Sequence, residues 1–597
     1  MYVTTVTGFD YWIRHLCIIK LIKLMKMTIK QFIPALSWLP NYKKKNLKGD
    51  ISAGLTVGVM LIPQGMAYAM IAGLPPIYGL YAATIPLIIY ALLGTSRQLA
   101  VGPVAMVSLL TAAGVGALAE GGTETYIMLA ITLAFLVGAI QFLLGVFKLG
   151  FLVNFLSHPV ISGFTSAAAL IIGLSQLKHL LGINIPGSHH IHTILISAFE
   201  KFGEINWLIF AVGIAGIIII KGVKLINKSI PGPLAAVLFG TLAVWGFGLA
   251  DKGVKIVGEV PSGLPGFSLP SLDMVTLQSL VPVALAIALV SFMESIAVAK
   301  AIQAKHKDYK VLPNQELIAL GMANIGGSFL QSYPTTGGFS RTAINDQSGA
   351  NTGLASIISA LLIVLTLLFL TPLFYFLPKA ILASVIMVAV FGLIDVKEAR
   401  HLWKANKTDF WMLVVTFIAT LTLGIEQGIG LGVILSLVMV IFRTTRPHVA
   451  ILGRVPQTTH YRNVDRFEGL EEPEGLKILR FDAQLYFANT SFFKDTLEEL
   501  LANHKNLKVL LLDFGTISQM DSSAIHALEE VVDDYRANGK GIYFSGVKGP
   551  VRDAMTRGHI IEKIGKQNFF MSKEDAVGFY RDQKNQTTGS YILQTNV

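Results

Sequence analysis

The chain has 597 residues, 53% of them apolar and only 14% charged, whereas about a quarter of the residues of an ordinary soluble domain are charged. A formal net charge of +11 would suggest nucleic acid in a soluble protein, but here the basic residues gather in loops between apolar runs, and nucleic acid drops out as a partner. A single cysteine, Cys17, excludes an intrachain disulfide framework and a cysteine metal cluster.

Residues 1–50 are basic, with Lys20, Lys23, Lys26, Lys30, Lys43, Lys44, Lys45 and Lys48. The piece Trp12 to Met27 lacks a small-residue cleavage site, which argues against a signal peptide. It reads as an interfacial amphipathic helix or, the favoured alternative, as an extension ahead of a true start at Met25 or Met27. From Ile51 to Phe442 the chain repeats apolar segments of bilayer-crossing length. They are expected near 51–71, 77–94, a helix from Pro103 preceded by a strand-like Arg97–Val101, 126–146, 152–176, 205–220 and 231–249. A Gly/Pro-rich connection including Val260 to Gly266 follows, and then 282–302, 313–328, a short 339–349, 352–371, 379–394, 409–424 and 427–443. That gives fourteen segments, seven on each side of residues 251–280.

Loop charges orient them. Arg97, Lys148, Lys221, Lys224, Lys228, Lys300, Lys305, Lys307, Lys310, Lys397, Arg400, Lys404, Lys407, Arg443 and Arg446 fall on the side of both termini, while Glu120, Glu124, Asp251, Lys252 and Glu426 fall opposite. This is the positive-inside asymmetry, and it places both termini in the cytoplasm. His189, His190 and His192 fall outside; with no other ligand nearby they read as a solvated loop rather than a metal site. After about Pro456 charged residues return. Buried strands are expected at Lys477–Phe481, Val509–Asp513 and Gly541–Ser545, alternating with helices at 490–503, 522–537 and 549–557, which is the pattern of a small α/β domain. The expected organisation is a basic N-terminus (1–50), a membrane domain (51–445), a cytoplasmic α/β domain (446–580) and a flexible tail (581–597).

Two stretches break the apolar pattern, and each is the third element of its half. Gln98-Leu-Ala-Val-Gly-Pro-Val104 is polar and extended ahead of a helix start, and so is Thr336-Gly-Gly-Phe-Ser-Arg341. Interrupted segments at matching places in two halves point to a midplane binding site between inverted repeats. Each half-helix N-terminus presents free N–H groups and about half a positive charge, so two aimed at one point make an anion site. Arg341 has no apolar role at membrane depth. Gln64 and Tyr68 share one helical face four residues apart; Ser291, Glu294, Ser295 and Val298 share another. Glu294 is the only carboxylate well inside its span and is a functional candidate, with a fixed partnership to Arg341 as the alternative. Glu316 and Asp346 lie near segment ends and are expected to be solvated or capping.

The run Pro63-Gln64-Gly65…Pro75-Pro76-Ile-Tyr78-Gly79-Leu80-Tyr81 resembles the first-span signature of the SulP (sulfate permease) family. Phe339-Ser340-Arg341-Thr342 resembles its tenth-segment motif, and Asp513-Phe…Met520-Asp521-Ser522-Ser523-Ala-Ile525 is similar to the loop of a STAS domain. The resemblance spans about residues 35–580. It implies a polytopic α-helical fold of 7+7 inverted repeats like that of nucleobase transporters, with core and gate domains, a cytoplasmic α/β STAS domain and a homodimer. It further implies an anion held by Gln64, Tyr68, Ser340, Arg341 and backbone N–H groups of Val104, Ala105, Gly338 and Phe339. The Tyr68 hydroxyl is a small departure, since many relatives have Phe there. Glu294 matches the carboxylate of proton-coupled members, and Ser523 aligns with a phosphorylated serine of anti-sigma-factor antagonists, although Asp521-Ser-Ser also suits a helix N-cap.

Two helix ends and Arg341 offer roughly +2, which an ionised Glu294 lowers to about +1. Protonating Glu294 restores the balance for a divalent oxyanion. The expected function is therefore proton-coupled uptake of an inorganic oxyanion, sulfate foremost, by alternating access across the plasma membrane. Alternatives are sodium-coupled bicarbonate transport, with Ser291, Thr335 and Thr336 near the ion, dicarboxylate transport, and an exchanger or channel. Another makes the cytoplasmic domain a partner-binder. An enzyme is not expected: no nucleophile–base constellation, cofactor motif or metal-ligand spacing is visible.

Overall fold

The computed structural model of the chain describes residues 32–151, 157–185, 191–226 and 231–594. The alternative starts at Met25 and Met27, the 12–27 piece, His189, His190 and the side chain of His192 lie outside the described residues. The chain divides into two compact units, Met1–Ser436 and Leu437–Val597.

The first unit and the start of the second supply the fourteen expected segments in order. The first seven are α1 (Lys44–Ile71), α2 (Ile77–Leu93), α3 (Ala105–Gly116), α4 (Glu124–Val146), α5 (His158–Leu181), α6 (Trp207–Ile226) and α7 (Gly232–Gly246). The second seven are α8 (Met274–Lys305), α9 (Pro313–Ser328), α10 (Phe339–Gln347), α11 (Leu354–Phe374), α12 (Lys379–Phe391), α13 (Lys407–Leu423) and α14 (Ile425–Thr445). A strand precedes the third element of each half: β1 (Val101–Gly102) before α3 and β2 (Thr336–Gly337) before α10. β1 forms somewhat later than the expected Arg97–Val101 piece.

Glycine lets these helices approach closely, as small residues do at membrane interfaces. Gly65 of α1 and Gly79 of α2 lie backbone to backbone, and a Cβ on either would collide with the other's carbonyl. This contact explains both glycines of the Pro63…Tyr81 motif and fixes the height of Gln64 beside it. Gly138 of α4 and Gly321 of α9 meet in the same way, each placing a hypothetical Cβ 2.7 Å from the other's carbonyl oxygen.

Glu316 and Asp346 are not solvated ends. Glu316, in the first turn of α9, is fully buried. It accepts from Tyr90 Oη at 2.6 Å, Thr95 N at 2.7 Å, Thr95 Oγ1 at 2.5 Å and Ser96 N at 3.2 Å. It thereby clamps the loop that leads into β1. Glu316→Gln keeps the shape but replaces one acceptor oxygen with a donor facing donors. The expected loss is about 1–3 kcal/mol, read as a lower thermal midpoint of the detergent-solubilised protein by tryptophan fluorescence. Asp346 pairs with Lys305 at 3.2 Å and His306 at 2.5 Å, tying the ends of α8 and α10 together. Sequence position alone does not reveal these partners, which lie more than 200 residues away in one case and about 40 in the other. Asp50 does similar work: fully buried, it accepts from Asn351 N, Thr352 N and Thr352 Oγ1 at 2.7–3.0 Å, holding the start of α11.

The second unit is a six-stranded sheet in the order β4-β3-β5-β6-β7-β8. The strands are β3 (Val449–Arg454), β4 (Tyr461–Asn463), β5 (Leu476–Phe481), β6 (Val509–Asp513), β7 (Gly541–Ser545) and β8 (Phe569–Phe570). β5 through β8 are parallel, and β3 is antiparallel to β4 and β5. Helices α15 (Thr490–Asn503), α16 (Ser522–Ala537) and α17 (Gly549–Arg557) fall where expected. Their apolar faces join Leu479, Phe481, Leu510, Leu512 and Phe544 in one core. β3 and β4 were not expected; Val449–Arg454 follows the last span so closely that it reads as its apolar continuation. The last helix, α18 (Lys573–Gln594), runs through much of the stretch expected as a tail. Tyr580 Oη to Glu474 O at 3.0 Å and Lys584 to Glu474 at 2.8 Å fasten it.

Candidate functional site

The two interrupted stretches meet. β1 pairs with β2 antiparallel, Val101 opposite Gly337 and Gly102 opposite Thr336. The ladder extends through Gly338 N to Ala100 O at 3.0 Å and Ala100 N to Thr342 Oγ1 at 3.0 Å. Each strand feeds straight into its helix through an extended residue, Val104 for α3 and Gly338 for α10. No side chain caps either helix, in contrast to α4 and α8, which Thr123 and Asp273 cap. The first intrahelical bonds are Ser108 N to Val104 O and Thr342 N to Gly338 O, both at 3.0 Å. The N–H groups of Ala105, Met106 and Val107, and of Phe339, Ser340 and Arg341, therefore have no acceptor within their helices. Gly338 was expected to offer its own N–H; the ladder to Ala100 consumes it, and the available donors begin one residue later.

Arg341 sits where these ends converge. It is 2% exposed, and Nη1 donates to Pro103 O, just ahead of α3, at 2.5 Å. Nε and Nη2 are buried without a partner. A fully buried, half-satisfied guanidinium is costly unless a further acceptor completes it. The guanidinium folds back over its own helix start: a Cβ at Gly338 would lie 2.9 Å from both Cζ and Nη2. Gly338→Ala is expected to displace it and to raise the apparent KM for the transported anion by roughly tenfold, about 1.4 kcal/mol. Labelled-anion uptake alongside gel filtration of the purified variant checks this.

Tyr68, Glu294 and Tyr333 are the ionisable side chains that neighbour Arg341. No ion pair joins Glu294 to Arg341 among the described residues. Glu294 is part-exposed, Tyr68 is 6% exposed, and Gln64, at 3%, has a buried Oε1 without a partner. Phe339 and Ser340 are exposed, and Val104 and Ala105 are buried. Tyr333 Oη bonds Ser108 Oγ of α3 at 3.0 Å, a further link between the two regions.

Ser291, Thr335 and Thr336 do come together, but as a closed hydrogen-bonded network rather than an open ring of oxygens. Ser291 Oγ donates to Ile287 O and accepts from Gln141 Nε2 at 2.8 Å. Thr336 Oγ1 donates to Ser291 O and bonds Ser295 Oγ, both at 2.7 Å; Ser295 Oγ accepts from Gly337 N at 2.9 Å. Asn324 Oδ1 accepts from Thr335 N at 2.7 Å and from its hydroxyl at 3.2 Å, and Asn324 Nδ2 donates to Gln141 Oε1 at 3.2 Å. These hydroxyls hold β2 in place against α8, α9 and α4. Gln141 and Asn324 escaped sequence reasoning; their signal was an amide set deep within an apolar run of each span. Among the described residues no group of His, Cys, Asp and Glu is arranged to hold a metal ion.

In the second unit Asp521 caps α16, accepting from Ala524 N at 2.9 Å, and also accepts from Phe487 N at 2.9 Å. The capping function thus belongs to Asp521, and Ser523 is exposed in the first turn.

A model of the sulfate permease family matches residues 47–416, and one of the STAS domain matches residues 469–576. "Sulfate transporter 4.1, chloroplastic" of Arabidopsis thaliana is 40% identical over 93% of this chain and 84% of its own length. "High affinity sulfate transporter 2" of Stylosanthes hamata is 33% identical over 92% and 87%. Among solved structures, "The overall structure of SLC26A9" superposes with a TM-score of 0.84 at 27% identity, covering 99% of this chain and 98% of the other. The transmembrane domain of a cyanobacterial bicarbonate transporter, BicA, shares the fold at 22% identity and a TM-score of 0.58, covering 66% of this chain and 98% of the other.

Proposed function

The chain belongs to the sulfate permease family, a multi-pass membrane protein with a STAS domain, and we propose that it is a secondary active transporter of inorganic oxyanions, sulfate foremost, driven by protons. The observation that carries this reading is the convergence of two uncapped helix ends on a buried guanidinium with two unpartnered nitrogens. Donors in that arrangement complement an anion with several acceptor oxygens. Sulfate is favoured because the plant relatives named above are sulfate transporters.

The antiparallel pairing of β1 with β2 supports two halves of opposite orientation, since equivalent strands of inverted repeats meet head to tail. On this reading α1–α4 and α8–α11 form a core that carries the anion past a gate of α5–α7 and α12–α14. Glu294, beside Arg341 but not paired with it, is free to take the coupling proton. The closed network around Ser291, Thr335 and Thr336 speaks against sodium there. We further place both termini in the cytoplasm of a cell bounded by the plasma (inner) membrane, with the chain as a homodimer; the loop charges support the orientation.

Competition of labelled sulfate uptake in proteoliposomes tests substrate and ion together. Unlabelled sulfate is expected to compete and sodium to have no effect. Strong competition by bicarbonate only in sodium, or by fumarate above sulfate, would replace the sulfate reading with the corresponding alternative.

A further inference from the structure

We propose that the cleft between α6 and α12 binds an anionic phospholipid, its acyl chain between the helices and its phosphate at Lys221. The cleft follows from how the helices are pinned. Around Gly213 and Gly216 they are in tight contact: a Cβ at Gly216 would lie 2.8 Å from Ile381 Cδ1 and 3.0 Å from Ser384 Cβ, and one at Gly213 would lie 3.7 Å from Ala380 Cβ. Ser384 Oγ donates to Gly213 O at 2.6 Å across that contact. One turn on, the glycines give way to Ile217 and Lys221 on α6, facing Met387, Val388 and Phe391 on α12. Larger side chains now separate the helices, and a cavity of about 410 Å³ opens, lined by these residues and Gly392.

The volume is within the usual range for a small-molecule site, roughly 300–1,000 Å³. Its walls are apolar except for Lys221, which is exposed and has no carboxylate partner among the described residues. Water gains little in such a cleft, whereas an acyl chain fits it. A lysine at the rim reaches the headgroup layer while its stem stays among apolar groups, and it adds attraction for an anionic headgroup. Lys221 stands at the end of α6 where the sequence adds Lys224 and Lys228, consistent with the basic face of the membrane. None of these residues belongs to the candidate anion site, so the inference stands whichever anion is carried.

The test counts retained lipid by native mass spectrometry of the full chain, titrated with phosphatidylglycerol or with phosphatidylcholine of the same acyl chains. The natural protein is expected to retain phosphatidylglycerol about fivefold better, the change one basic residue confers at an anionic surface. Lys221→Gln, at an exposed position, should erase the preference while leaving chain binding. Val388→Trp, which fills the cleft, should lower retention of both lipids. Equal retention of the two lipids by the natural protein overturns the proposal, as does a preference that survives Lys221→Gln. Displacement of phosphatidylglycerol by glycerol phosphate alone also overturns it, because the site would then take a free phosphoanion and not a lipid.

Discussion

Arg341→Ala is expected to reduce oxyanion uptake to the background of empty proteoliposomes while the protein still inserts and purifies as a monodisperse species. The size of the effect follows from what the guanidinium offers. Two buried nitrogens, Nε and Nη2, have no protein partner, and each charge-assisted bond to an anion contributes about 1.5–3 kcal/mol. Losing both costs at least a hundredfold in affinity, before the lost positive charge is considered. Removing the side chain also leaves the carbonyl of Pro103 without its donor, so folding must be followed separately. Arg341→Lys separates the two effects: it keeps the charge but lacks the fork that reaches both Pro103 and a ligand. Uptake by the Lys variant should recover only in small part. Full recovery would mean that the charge alone matters and the geometry does not.

Glu294→Gln is expected to abolish the dependence of uptake on an imposed pH gradient while sparing exchange of labelled for unlabelled substrate. With Glu294 ionised, the site holds about +1 from two helix ends and Arg341; with it protonated, about +2. A divalent anion enters the second state without a deficit. Glutamine fixes that balanced state permanently, so the substrate binds with no proton needed and no proton moved. Net concentrative uptake should fall to equilibration, and the pH profile should flatten. A variant that still concentrates sulfate under an inward proton gradient would assign coupling to another group. Tyr68 and Tyr333, the other ionisable neighbours of Arg341, would be the next to test.

Much of this arrangement is legible in the sequence, for a physical reason. Membrane spans must be apolar and of bilayer length, so a polar, glycine-containing interruption cannot hide; Gln98–Val104 and Thr336–Arg341 stood out at matching places and prove to be bonded to one another. The helices of the second unit were placed because their apolar residues recur at helical spacing around a buried sheet. The misses share a cause. Glu316 and Asp346 are governed by partners far away in the chain, and no local pattern announces that a carboxylate near a helix end is enclosed by distant donors. Gly338 was expected as a backbone donor to the anion, yet its N–H goes to Ala100 and its missing side chain makes room for Arg341. Ser291, Thr335 and Thr336 were grouped by position as oxygens near an ion, yet they are hydrogen-bonded among protein groups, and the amides that close their network, Gln141 and Asn324, lie on α4 and α9.

Equilibrium binding of labelled sulfate to the purified, detergent-solubilised chain, measured against pH for the natural protein, Arg341→Ala and Glu294→Gln, tests the central claim most directly. The natural protein should bind more tightly as pH falls, Glu294→Gln should bind tightly with no pH dependence, and Arg341→Ala should not bind. Undiminished, pH-dependent binding by Arg341→Ala would contradict an oxyanion site between the starts of α3 and α10.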